Sequence, residues 1–204
     1  MFFYIFSLFL YTSEPPFFVS KALDIDSLKK LTQNDVVIIT RRCRDLEGRE
    51  NYLSISSVRI KGNKENVMNI FKDNQRIKQA LPDVKDVKVV KKYSDREYDV
   101  EYDISLKIFG GIKISVKYLS HVVVGDNYIY SYIKDGKNRG GWRITEFFED
   151  NGSTVVVLSM CEFVRVAPIA NEIFSANPHF EVGIISSTGL ITLTQFKKYI
   201  ERVQ

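Results

Sequence analysis

The stretch EYDVEYDISLKI, residues 97–108, alternates without a break. Tyr98, Val100, Tyr102, Ile104, Leu106 and Ile108 fall on one side, and Glu97, Asp99, Glu101, Asp103, Ser105 and Lys107 on the other. Successive side chains of a strand point to opposite faces, so this period describes a strand with one dry and one wet face. A parallel sheet, buried on both faces, would carry a near-continuous apolar run instead. The segment therefore asks for an antiparallel sheet with a cover over its dry face. The carboxylates of 97–103 are read as that solvated face, because period-two carboxylates without a returning loop do not converge on one metal ion.

The neighbouring segments extend the sheet. After the turn at Gly110-Gly111, IKISVKYLSHVVV (112–124) returns with Ile112, Ile114, Val116 and Tyr118 on one side. Strands follow at YIYSYIKDG (128–136), at 140–149 and at TVVVLSMCEFVRV (154–166), so that five succeed one another from residue 97. Upstream, DVVIITRRCRD (35–45) and YLSISSVRIKG (52–62) flank the turn LEGREN and read as a hairpin. DIDSLKKLTQ (24–33) spaces Ile25, Leu28 and Leu31 as a short amphipathic helix. In NKENVMNIFKD (63–73), Asn63 is placed to cap a helix whose apolar residues are Val67, Ile70 and Phe71; NQRIKQALP adds a second helical piece that stops at Pro82.

Beyond Pro168 the period changes. FEVGIISSTGLITLTQFKKYIERV (180–203) sets Ile185, Thr188 or Gly189, Thr192, Phe196, Tyr199 and Val203 on one helical stripe. Its β-branched residues and two glycines make it a poor isolated helix, so tertiary packing must hold it. Small residues at Gly183, Ser187 and Gly189 allow it to lie close to what it covers, or leave a gap beneath. The order of elements gives an α+β fold, with a curved antiparallel sheet gripping one long C-terminal helix.

Composition limits the partners. At 204 residues the chain suits one domain with a short extension. Lys plus Arg (29) exceed Asp plus Glu (25) only mildly, and no basic stripe forms, which argues against a nucleic-acid partner. Cys43 and Cys161 lie on different strands without metal-type spacing, so neither a zinc site nor a disulfide framework is read; Cys161, among apolar neighbours, is expected as a small buried hydrophobe. The N-terminal MFFYIFSLFLY is too short to span a bilayer, which needs about 20 residues. It has the length of a signal-peptide core, with Ser20-Lys21-Ala22 offering small residues for cleavage, although no Lys or Arg precedes it. Residues 1–22 are thus expected to be a signal-like or anchoring segment, or to pack on the domain, and export to the cell envelope is expected, with a cytoplasmic location as the alternative.

Three stretches carry a resemblance: VRIKGNKENVMNIFKDNQRIKQALPDVKDVKVV (58–90), ISVKYLSHVVVGDNYIYSYIKDG (114–136) and GGWRITEFFEDNGSTVVVLSM (140–160). In this order they resemble the START-like superfamily, also called SRPBCC or the polyketide cyclase/coenzyme Q-binding group, with its helix-grip fold. Asp73 and Pro82 stand where the family's strand–helix–Asp–short helix–Pro–strand sequence places them, and Gly140-Gly141-Trp142 resembles its Gly-x-Trp strand. The resemblance covers about residues 52–203, so that 52–204 is expected as the ligand-binding domain and 23–51 as an N-terminal helix and extra strand. The C-terminal helix departs from the family's charged, Leu-rich pattern. The resemblance implies a hydrophobic cavity between sheet and last helix, in a group whose members bind lipids, sterols, polyprenyl quinones or polyketides. It transfers no catalytic residue, and fold analogy does not decide function.

The residues themselves offer little chemistry. Glu162 is in phase with Val156, Leu158 and Met160 and is read as a strand-end carboxylate paired with an arginine such as Arg165, or alternatively as a proton-transfer group. His121 alternates with Lys117 and Lys113, which puts it on the wet face; His179 is expected to cap a helix. No nucleophile constellation, phosphate loop or metal cluster can be assembled, and no cofactor is expected. The aromatics Tyr98, Tyr102, Tyr118 and Trp142 offer broad apolar bodies with polar tips, suited either to an oxygen-bearing apolar ligand or to an ordinary core. The expected lining is Tyr98, Val100, Tyr102, Ile104, Ile114, Val116, Tyr118, Trp142, Ile144, Val156, Leu158, Met160 and Glu162 from the sheet, and Ile185, Gly189, Thr192 and Phe196 from the helix. The function expected is non-catalytic binding or transport of a hydrophobic small molecule, a lipid or polyprenyl quinone, with possible peripheral membrane contact. The alternative is a polyketide cyclase- or dehydratase-like enzyme in the same cavity; a third reading is an interaction module whose cavity is filled by its own side chains.

Overall fold

Local sequence rules account for the first helices of the computed structural model, which describes residues 14–33, 35–107, 113–136, 138–162, 172, 174–177 and 179–203. Asp24 caps α1 (Ile25–Leu31) by accepting from the amides of Asp26 and Ser27, and Asn63 caps α2 (Lys64–Lys72) through the Asn66 amide at 2.8 Å. Asp73 ends α2 and at once caps α3 (Asn74–Ala80), accepting from Gln75 and Arg76. Pro82 follows and forbids continuation.

The strands are β1 (Val37–Arg44), β2 (Glu50–Lys61), β3 (Val84–Ser94), β4 (Glu97–Lys107), β5 (Lys113–Val124), β6 (Tyr128–Asp135), β7 (Trp142–Asp150) and β8 (Ser153–Cys161). They form one curved sheet of eight strands in the order β1-β2-β8-β7-β6-β5-β4-β3, every pair antiparallel. The hairpin β1–β2 matches expectation. The edge strand β3 is absent from the run of five read by alternation, though present in the family pattern; register shifts at three places along it break its period. The turn at Gly110-Gly111, Ile108, Ile112 and residues 163–166 lie outside the described residues.

The C-terminal helix α4 (His179–Val203) crosses the concave face. Its buried side is Ile185, Gly189, Leu193, Phe196, Tyr199 and Ile200, whereas Val203 is exposed, so the packed stripe runs through Leu193 and Ile200 rather than ending on Val203. Gly189 sets the closest approach: a Cβ there would stand 2.6 Å from Ser56 Oγ on β2. Phe196 stacks on Phe71 of α2 with centroids 4.0 Å apart, and Phe71 meets Phe147 of β7 edge-on at 5.3 Å. Val58, Ile60, Val100, Val156, Leu158 and Leu193 complete this concave core.

The convex face is covered too. Leu53, Ile55, Tyr130, Trp142, Ile144, Val155, Val157 and Cys161 form a second core beneath Phe17, Val19 and Leu28 of the N-terminal segment. Cys161 and Cys43 are joined in a disulfide across β2, with Cα atoms 6.5 Å apart. This corrects the expectation of two unbridged cysteines. Cys43 stands opposite Asn51 and Cys161 opposite Leu53, so a two-residue offset on the intervening strand brings them together.

Candidate functional site

Between α4 and the sheet lies a cavity of about 250 Å³. Its floor follows from register. Tyr102 stands opposite Tyr118, and Ile129 opposite Thr145, which stands opposite Leu158. Ser131 faces Arg143, and Arg143 faces Met160. Directly paired residues of antiparallel strands share a face, so all of these look at the helix. Phe71, Ile77, Leu81, Pro82, Asp83 and Val84 make one wall, and Thr188, Ile191, Thr192, Gln195 and Phe196 of α4 make the roof.

The cavity is mainly apolar, with Asp83 and Gln195 and several hydroxyl side chains on its walls and Arg143 as the one cation among the described residues that line it. That guanidinium forks onto the carboxylate of Glu162, with Nη2 at 2.8 Å from Oε2 and Nε on Oε1. Burial alone would disfavour the charged arginine, but Glu162 beside it holds its pKa well above the ordinary value. The guanidinium also lies over the Tyr118 ring, 5.9 Å from its centroid. Tyr118 stacks on Tyr102 at 5.3 Å, and burial pushes both phenols up, so each stays a neutral donor near pH 7. The Tyr118 hydroxyl is buried beside the Arg143 guanidinium, which can only donate to it, and its own proton has no acceptor among the described residues. The result is a mainly apolar cavity with one internally neutralised ion pair and one phenol proton without an acceptor.

The expected lining residues divide in the structure. Tyr102, Ile104, Tyr118, Leu158, Met160, Thr192 and Phe196 border the cavity. Tyr98, Val100 and Val156 belong to the concave core beside it without bordering it. Val116 shares the concave face opposite Ile104, and Ile114 lies on β5 with its side chain outside the described residues. Ile185 and Gly189 are buried on the packed side of α4, away from the lining. Glu162 does not border the cavity but pairs with Arg143, which does; the expected partner Arg165 lies outside the described residues.

Trp142 and Ile144 are a correction. Both belong to the convex core, and the strand shows Arg143, Thr145 and Phe147 to the helix instead. The apolar alternation of β7 points away from the helix because the convex face, expected wet, is covered by residues 17–28. Arg143 was thus missed. The signal lay in the pairing: a cavity phase for Met160 fixes the same phase for Arg143.

His121 is a second correction. It is buried on the convex face, Nδ1 2.7 Å from Asp99 and Nε2 3.1 Å from Glu97. Asp99 also accepts from Lys134 at 2.8 Å and Tyr93 at 3.0 Å. Partners on β3, β4 and β6 therefore enclose a residue whose lysine neighbours suggested solvent. His179 opens α4, its amide donating to Asn177 Oδ1. Among the described residues no group of three or more His, Cys, Asp or Glu side chains is arranged to hold a metal ion, and no helix is long and apolar enough to cross a membrane.

No family model and no curated protein sequence matches the chain. Solved structures do. A START superfamily protein from Mycobacterium smegmatis superposes with a TM-score of 0.58 at 16% identity, over 74% of this chain and 99% of that one. The human StarD13 (DLC2) lipid transfer and protein localization domain gives 0.56 at 10% identity, over 86% and 95%. The ZhuI aromatase/cyclase from Streptomyces sp. R1128 gives 0.55 at 12% identity, over 83% and 97%. At such identities the likeness speaks for architecture, and with the eight-stranded sheet and its gripped C-terminal helix it establishes that this chain has the START-like helix-grip fold.

Proposed function

We propose that the chain binds and carries, without catalysis, a compact hydrophobic molecule bearing an acceptor oxygen, in the cell envelope. The observation that carries this reading is the partly open, mainly apolar cavity between sheet and helix, with Tyr118 and Arg143 on its floor. Its volume of about 250 Å³ lies below the ~300–1,000 Å³ of pockets that enclose drug-sized ligands. A ring system or a single chain suits that space better than a two-chain lipid. A polyprenyl quinone would place its head inside and lead its tail out past Ile191, which borders the chamber and is 53% exposed. Because Glu162 already neutralises Arg143, an anionic ligand would gain little there, whereas a carbonyl oxygen would satisfy the Tyr118 hydroxyl. The protein resembles in fold both a domain named for lipid transfer and an aromatase/cyclase, and both names are compatible with a hydrophobic occupant.

The envelope location is supported by the Cys43–Cys161 disulfide, since such bonds persist in oxidising compartments, and by the apolar N-terminal run. Peripheral contact with the bilayer belongs to the same reading, as the place where a carrier would load; nucleic acid and cofactors have no part in it.

A second reading is favoured by the cluster of Arg143, Glu162 and Tyr118, which could serve a cyclase- or dehydratase-like reaction with Glu162 moving the proton. Glu162→Gln separates the two. A carrier keeps its co-purified molecule in native mass spectrometry, while an enzyme loses turnover of a poly-β-ketone probe. Freshly purified protein that holds no small molecule, and takes up none from a panel of quinones, sterols and fatty acids, would defeat the carrier reading.

A further inference from the structure

The sequence offers Ser20-Lys21-Ala22 as a place where a signal peptidase could cut, and the structure makes that cut expensive. Residues 17–21 lie as a strap on the convex face, in extended chain that tightens to a 3₁₀ turn at Val19–Lys21. Val19 is completely buried there. Its amide donates to Glu146 Oε2 at 2.5 Å, while the Ser20 amide and hydroxyl donate to Oε1 at 3.3 and 2.9 Å. Glu146 is itself only 1% exposed, in the middle of β7. The strap supplies every hydrogen bond drawn to it among the described residues.

The rings on either side reinforce the dock. Phe17 packs against Trp142 at 6.4 Å between centroids and lies under the guanidinium of Arg41 at 4.8 Å. Phe18 meets Tyr128 edge-on at 5.2 Å. Removing residues 1–22 would uncover the core around Trp142 and strip Glu146 of every donor it has among the described residues, a loss of packing and hydrogen bonds together. Pro15 and Pro16, just before the strap, are less buried and stiffen its approach.

We infer that the strap Phe17–Lys21 belongs to the working protein, so that any processing of the N-terminal apolar run occurs before Phe17 and not at Ala22. Expression of the full chain, followed by intact-mass and N-terminal sequencing of the protein recovered from each cell fraction, tests this. A chain that is uncut, or begins at or before Phe17, is the expected result; one that begins at Phe18 or later overturns the inference. A second measurement uses the uncut chain. Val19→Asp and Glu146→Gln should each lower Tm, by about 5 °C or more for Val19→Asp. Tm values unchanged in both variants would equally overturn it, while a variant that fails to fold counts in its favour.

Discussion

Arg143 on β7 and Glu162, one residue beyond β8, face each other at 2.8 Å on the concave side of the sheet, where Arg143 borders the cavity. An arginine in a mainly apolar cavity is tolerable only with such a partner. Because the Arg143 side chain is 34% exposed, Glu162→Ala should destabilise the fold by about 1–3 kcal/mol, less than the ~3–5 kcal/mol of a fully buried pair. Glu162→Gln should cost less, since one acceptor remains. Urea unfolding of the three proteins checks the order.

Ser131 borders the cavity opposite Arg143. Ser131→Phe would fill that space from the floor without disturbing the packed core. The expected outcome is loss of any co-purified ligand in native mass spectrometry with a Tm within a few degrees of the parent. Loss of ligand together with a collapse of Tm would mean the residue packs rather than borders.

The Cys43–Cys161 bridge closes a loop with a sequence separation of 118. Native disulfides are typically worth ~2–4 kcal/mol, and chain-entropy arguments give about 4.7 kcal/mol for a loop of some hundred residues. Reduction, or the paired change to alanine, should lower the guanidinium midpoint accordingly. Parallel unfolding curves with and without dithiothreitol measure it.

Asp99 provides the pH dependence. Burial opposes its ionisation, but hydrogen bonds from Lys134, His121 and Tyr93 outweigh that and hold its pKa below the usual carboxylate value. Its contribution to stability is thus complete above the unfolded value, ~3.9, and is lost as pH falls through the lower folded value. Lys134 runs the other way. Burial opposes its charge, yet Asp99 raises its pKa, so its contribution is complete below ~10.4 and lost as pH rises through the higher folded value. Asp99→Asn should weaken the stability lost at both ends, as read by Tm between pH 2 and 11.

Gly189 tests the grip itself. A methyl group there meets the Ser56 hydroxyl at 2.6 Å. Helix propensity favours Gly189→Ala by about 1 kcal/mol, but overpacking costs ~1–3 kcal/mol, so the variant should be less stable. Adding Ser56→Gly should restore it, a coupling that a double-mutant cycle would resolve.

Much of this architecture is written in local pattern. The strict alternation of 97–104, the Asn63 cap, the turn at 45–49 and the stop at Pro82 each specify their element by sterics or hydrogen bonding over a few residues. What alternation does not specify is which face is which when both are covered. Trp142 and Ile144 looked like lining because they are the large apolar residues of β7, yet the strap needs such residues as much as the ligand does. His121 was misplaced for a related reason, since Asp99, Lys134 and Tyr93 come to it from other strands. The disulfide depends on the register of β1 and β8 against β2, and β3 hides behind its bulges. These are long-range relationships, invisible in any window of ten residues.

One strand thus serves two masters. Along β7 the odd-numbered Arg143 and Thr145 shape what the protein can hold and Phe147 packs the core beside them, while the even-numbered Trp142, Ile144 and Glu146 fasten the strap at residues 17–21. Because the two sets never share a side of the backbone, evolution can retune selectivity at one set while the other keeps the scaffold intact. A library that randomises Thr145 and Ser131 should return folded proteins with altered cargo far more often than one that randomises Trp142, Ile144 and Glu146.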